Sequence, residues 1–197
     1  MTVQIDDAFI RGWYQMYDDE NVGGDDKDYE ELIDKVRDEI NSNGTLAQKT
    51  FLEIWKWKGA MRVIRHVKLD KYDSHYAPAF HRAVNAPPER KLCELLEGAN
   101  KLPGVAAPTA STIIHFIHPE TMPIIDVRTV EALHAARRIS TKLRDLEHYE
   151  EFRSAIDRIR RECPNWTLRE IDKALFAYHK LVLDKNRKQR KKPLCRT

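Results

Sequence analysis

Asp126 has the type and position to do chemistry. It stands at the head of the periodic run Val127-Arg128-Thr129-Val130, where a helix is expected to begin. The unpaired amides and dipole of a helix start hold a carboxylate ionised. Such a carboxylate can orient a water and oppose developing positive charge. Asp is equally a common helix cap, and capping alone accounts for it. Arg128 can position that carboxylate, bind a phosphate or form a simple salt bridge. Upstream, Ser111, His115 and His118 recur at i, i+4 and i+7 on the polar side of a helical run. Its other side carries Ala110, Ile113, Ile114 and Ile117. That polar side is a candidate cleft wall, although His115 and His118 also suit ordinary core or surface roles. Two histidines without a matched third ligand do not make a metal site, and none is expected.

The segment before them has a different use. Leu102-Pro103-Gly104-Val105-Ala106 is a glycine-containing turn, and Ala107-Pro108-Thr109-Ala110-Ser111 opens the next helix with a proline in its first turn. A turn between two short helices exposes amides that can hold a phosphate oxygen without reading any base.

The elements that must position these residues are helical throughout. Apolar periodicity follows the helical repeat, and no alternating window is long enough for a sheet, so the fold class is all-α. Leu32, Ile33, Val36 and Ile40 form one stripe, ended by Asn41-Ser42-Asn43-Gly44, and a second helix runs from Leu46 to Trp57. Leu92, Leu95, Leu96 and Ala99 predict a helix over 88–100. Tyr149, Phe152, Ile156, Ile159 and Cys163 mark a long helix, broken at Pro164-Asn165. The tetrad Thr167-Leu168-Arg169-Glu170 has the capping-box pattern and starts a last helix through Ile171, Leu175, Tyr178 and Val182. Residues 18–28, acidic and containing Gly23-Gly24, read as a mobile connection. Residues 1–184 therefore form the helical domain and 185–197 a basic tail, disordered or loosely helical when free and either solubilising or phosphate-binding.

Charge is unevenly spread. The 197 residues sum to +3, but residues 1–40 hold 13 acids and 4 bases, a net of −9. The remainder carries 30 bases and 18 acids, a net of +12, which favours a polyanionic partner. The acidic stretch is expected to lie away from a polyanion or to shield the basic surface. The first residues lack the basic and apolar run of a signal peptide, and no apolar stretch reaches the roughly 20 residues of a spanning helix. A cytoplasmic monomer without membrane contact is expected. Cys93, Cys163 and Cys195 lack paired metal or redox spacing, and the first two read as small buried apolar residues.

Residues 88–131 resemble the helix-hairpin-helix DNA glycosylase superfamily. Its members carry a Leu-Pro-Gly-Val-Gly hairpin, a Gly/Pro-containing loop and an aspartate at the following helix start. The resemblance implies two helical lobes with a cleft between them, DNA as partner, and Leu102, Pro103, Gly104, Val105, Ala106, Thr109 and Arg128 as DNA contacts. Asp126 corresponds to the catalytic aspartate. Pro108 stands at the position, 18 before it, where bifunctional members have a lysine. Proline forms no Schiff base, so no lyase step arises there. The cysteine spacing of the family's iron–sulfur loop is missing, so no cofactor is expected. The implied activity is monofunctional hydrolysis of the N-glycosidic bond of a damaged, mismatched or modified base, in base-excision repair or in defence against phage DNA with modified bases.

A flipped base needs a pocket of aromatic and polar groups. The candidates are Trp55, Trp57, Tyr72 and Tyr76, with Ser111 and His115; aromatics at this spacing also suit a core. Lys56, Lys58, Arg62, Arg65 and Lys68 make their surroundings basic. Two other readings stand beside this one: a non-catalytic helix-hairpin-helix DNA-binding module, and a helical protein-interaction factor using the acidic first 40 residues.

Overall fold

The computed structural model describes residues 3–20, 22, 26–98 and 101–190, without the side chains of 26, 27 and 188–190. The described residues are helical and contain no strand. The longer elements are α1 (Asp7–Asp19), α2 (Asp26–Asn43), α3 (Gln48–Trp57), α4 (Ala77–Asn85), α5 (Cys93–Leu96), α6 (Ala107–Ile117), α7 (Val127–Ala135), α8 (Leu146–Glu162), α9 (Leu168–Tyr178) and α10 (Asp184–Arg190). Tighter 3-10 turns cover Met61–His66 and Leu69–Lys71, and wider π turns cover Tyr72–Tyr76 and His179–Leu183. No helix among the described residues is long and apolar enough to cross a membrane.

Local signals account for many of the boundaries. Asp6 caps α1, its carboxylate accepting the Phe9 amide at 2.9 Å. After α2, Gly44 takes φ 66°, the left-handed turn that the Asn-Ser-Asn-Gly pattern predicts. The Thr167–Glu170 box forms as expected, each side chain bonding the other's backbone amide.

Contacts cluster into two units that alternate along the chain. One takes the described residues of 1–24, 126–143 and 154–197; the other takes those of 25–125 and 144–153. In the first, α1 packs on α9. Trp13 meets Tyr178 edge-on at 5.4 Å between ring centroids, and Tyr17 meets Phe176 at 5.8 Å. Lys173 is buried between the same helices, its ammonium donating to Asp18 at 3.1 Å and lying over the Tyr14 and Tyr17 rings. In the second, Phe51, Trp55, Tyr72, Tyr76 and Phe80 are buried together in an aromatic core.

One helix expectation needs correction. The helix over 88–100 shrinks to the single turn of α5, with a tight turn before it and Glu97 extended after it; residues 99 and 100 lie outside the described set. Lys91 supplies the reason. Its side chain is buried, donating to the Ala83 and Val84 carbonyls at 3.1 and 3.0 Å and contacting His118 Nε2 at 2.8 Å. Satisfying the carbonyls at the end of α4 overrides the local periodicity, while Leu92 and Leu95 still reach the core. Between α1 and α2, Val22 of the acidic connection is described. Val22 is buried, its amide donates to Tyr17 O at 3.0 Å, and its carbonyl accepts Lys180 Nζ at 2.6 Å. Positions 21 and 23–25 lie outside the described residues, as do 191–197 of the tail; the tail's described part is helical in α10. Cys163 is buried, but Cys93 is only partly so.

Candidate functional site

The hairpin is fixed by contacts remote in sequence. Gly104 has φ 77°, and a Cβ there would lie 2.5 Å from the carbonyl carbon and oxygen of His66 and 2.8 Å from Val67 N. Only glycine fits both the left-handed backbone and that approach. Tyr76 joins the same parts: its hydroxyl donates to Pro103 O at 2.6 Å and accepts the Lys68 amide at 3.1 Å. Leu102 and Val105 turn inward, whereas Gly104 and Ala106 are exposed and Pro103 and Thr109 half-buried. The hairpin thus sits on the Met61–His66 segment, whose Arg62 and Arg65 are exposed, as is the following Lys68. Met61 and Val63 between these cations are 44% and 39% exposed.

The polar side of α6 serves the backbone that leads to Asp126. Ser111 is buried, donates to Pro108 O and accepts the Ile125 amide, both at 3.1 Å. His115 is also buried. A carbonyl only accepts, so Nδ1 is the protonated nitrogen that donates to Met122 O at 2.8 Å. Nε2 then accepts the Tyr29 hydroxyl at 2.8 Å. Tyr149 donates to Pro123 O at 2.9 Å. Three side chains therefore clamp Met122, Pro123 and Ile125. The bonds seen at Ser111 and His115 are these clamping bonds.

Asp126 caps α7 with one oxygen. Oδ1 accepts the Arg128 and Thr129 amides at 2.7 and 2.9 Å and lies 3.2 Å from Thr129 Oγ1, which in turn takes the Asp126 amide at 3.2 Å. No described residue bonds Oδ2, and the side chain is half-buried. Capping thus falls to one oxygen of the carboxylate. Arg128 stacks its guanidinium 4.4 Å from the Phe176 ring centroid, and Val127 beside Asp126 is exposed.

The predicted pocket residues separate. Trp55 is buried and donates its indole N–H to Ala60 O at 2.7 Å; Tyr72 is buried and donates to Leu46 O at 2.9 Å. With Tyr76 on Pro103, these three belong to the core and the hairpin support, because their polar atoms are spent on backbone. Trp57 stays half-buried, edge-on to Phe116 at 5.0 Å and tilted against Tyr29 at 5.8 Å. Trp57, Tyr29, His115 and Phe116 thus form one cluster. The hairpin belongs to the unit of residues 25–125, and Asp126 and Arg128 to the other.

The chain matches no family model, no curated protein and no solved structure. Its own residues and their geometry therefore carry the functional reading.

Sequence reasoning missed Tyr29, Tyr149 and the Lys91–His118 pair. A tyrosine inside an apolar stripe was the available signal for Tyr149, since a buried hydroxyl needs a partner. Nothing local links Tyr29 to His115, 86 positions away. His118 is held well down, at about 4, by burial first and by the neighbouring Lys91 second; burial also lowers Lys91. Among the described residues, no three His, Cys, Asp or Glu side chains are grouped to hold a metal ion.

Proposed function

We propose that this protein is a monofunctional DNA glycosylase, hydrolysing the N-glycosidic bond of a damaged or modified base turned out of DNA and leaving an abasic site. The observation that carries the reading is the carboxylate of Asp126: Oδ1 holds the helix start, and no described residue bonds Oδ2, the oxygen this reading assigns to a water or a sugar. As the base leaves, positive charge develops on the deoxyribose, and an ionised carboxylate beside C1′ lowers that barrier. The same oxygen orients the attacking water and accepts its proton as the new C1′–O bond forms. The departing base takes the electron pair of the broken bond and a proton from solvent.

On this reading the Leu102–Ala106 hairpin takes phosphate oxygens on exposed backbone, and Arg62, Arg65 and Lys68 add sequence-independent attraction. The helix-hairpin-helix glycosylase fold is part of the same proposal. The hairpin addresses backbone phosphate alone, so which base is excised, in repair or in phage defence, depends on residues outside it.

A panel of duplexes and genomic DNAs with different modified bases, treated with hot alkali after incubation, tests the reaction. Alkali-labile sites made by the wild type and lost in Asp126→Asn, with DNA affinity kept, are expected. Strand breaks before alkali contradict the monofunctional assignment. The complete Asp126–Thr129 capping box favours one alternative, a non-catalytic DNA-binding module. Binding without excision across the whole panel selects it.

A further inference from the structure

The basic segment after α9 is tied to α7 through one acid. Glu131 lies on α7, and its Oε2 meets His179 Nε2 at 2.7 Å. Its Oε1 lies 3.8 Å from Arg187 of α10. The two contacts differ in kind. The His179 side chain is 6% exposed and that of Arg187 58%. The first is therefore a buried anchor, and the second a surface ion pair that solvent and salt weaken.

The connection between the anchors is irregular. His179 opens the wider turn His179–Leu183, after which α10 begins at Asp184. A π turn inserts a residue into the helix and rotates the later turns about its axis. His179 is almost fully buried, yet among the described residues none bonds its Nδ1. A buried ring nitrogen that no described residue bonds costs stability, so among the described residues the turn is poorly satisfied where it grips α7. Beyond it, Lys185 and Arg187 stand exposed.

We propose that Glu131 parks the C-terminal basic helix on α7 and that a polyanion draws Arg187 away from it. Glu131 offers the carboxylate oxygens that stand in for phosphate until phosphate arrives. His179 stays buried as the fixed end, and the segment after the π turn is the movable end. Exchange of one anion for another leaves Arg187 paired in both states. Opening the contact therefore needs only a modest surplus of phosphate charge. This goes beyond the glycosylase reading and applies to any polyanion, with duplex DNA the one the charge distribution favours.

Limited trypsin digestion of the full chain tests it, comparing wild type with Glu131→Gln. The amide keeps an acceptor for His179 and removes the charge that holds Arg187. Cleavage after Lys185 and Arg187 is expected to rise about two- to fivefold, the range of an exposed ion pair. Glu131→Gln should also bind a 20-base-pair duplex more tightly at low salt by a similar factor. Arg187→Gln should flatten the salt dependence of binding by about one ion. A far-ultraviolet spectrum equal to the wild type's establishes that Glu131→Gln is folded. Equal cleavage rates for both proteins overturn the proposal, as does duplex affinity unchanged by Glu131→Gln in a protein that binds DNA. Cleavage is read without nucleic acid, so failure of base excision leaves the parking contact standing. Unchanged cleavage beside intact excision removes the contact and spares the enzyme.

Discussion

The hairpin and the start of α7 are built in opposite ways. Around Gly104 the turn is held by His66, Lys68 and Tyr76, all from 28 or more positions upstream. Around Asp126 the capping bonds come from within residues 126–129, while Ser111, His115 and Tyr149 hold the connection before it. The turn has no side chain of its own bonded across it, so distant parts supply its rigidity. A carboxylate with a local cap carries its positioning with it. Substitutions far from the hairpin are therefore expected to damage it, whereas the α7 cap bonds answer to their own four residues.

The largest expected effect is at Gly104. Gly104→Val sets a side chain into the His66 backbone at a left-handed φ and should cost about 4 kcal/mol or more in urea unfolding. A cost near 1 kcal/mol would mean that the Met61–His66 segment yields and that the hairpin depends little on it.

Acid comes second, and acts in the unit that holds the hairpin. His118 binds its proton only near pH 4 when folded, against about 6.5 when unfolded. Between those values the unfolded chain holds more protons, so stability is full above about pH 6.5 and falls as pH drops towards 4. The loss from this group is roughly 2 kcal/mol after allowance for its partial solvent contact, and it ends below the folded value. Denaturation midpoints measured from pH 7 to 4 should show this slope, and His118→Gln should remove it.

Tyr76→Phe ranks third, deleting a donor to Pro103 O and an acceptor for the Lys68 amide at a cost of about 1–2 kcal/mol. Hydrogen exchange at the Lys68 amide should quicken in parallel; a protected amide would show that another group holds it. The smallest effect belongs to the other region. Asp126→Asn keeps an Oδ1 acceptor and should shift stability by no more than about 0.5 kcal/mol, whereas Asp126→Ala should cost about 1 kcal/mol. Equal thermal shifts in the two variants would break the claim that the cap is local and oxygen-based.

The same contrast explains what could be read in advance. Local patterns survived: the Thr167–Glu170 box, the Gly44 stop and Asp126 as a helix start depend on neighbours within four residues. Patterns that tertiary contacts rewrite did not. The stripe Leu92-Leu95-Leu96 kept its burial at Leu92 and Leu95 but lost its length once Lys91 was drawn onto the α4 carbonyls. Trp55, Tyr72 and Tyr76 have the composition of a pocket, and only partners such as Ala60 O and Leu46 O reveal them as core. Ser111 and His115 were legible as a polar face, while their targets Ile125 and Met122 come from a connection without periodicity.

The pairing of α1 with α9 also bears on synthesis. The two helices lie roughly 150 residues apart, so α1 leaves the ribosome long before its partner exists. At about 5–20 residues per second the wait is on the order of 8–30 s. During it, the apolar side of α1, with Ile10 and Tyr17, has no α9 to cover it. The residues of 25–125 contribute to a unit that draws only a short later stretch, so most of it is available to fold while α1 waits. In a stalled or shortened chain, α1 is the segment that a holding chaperone should find open.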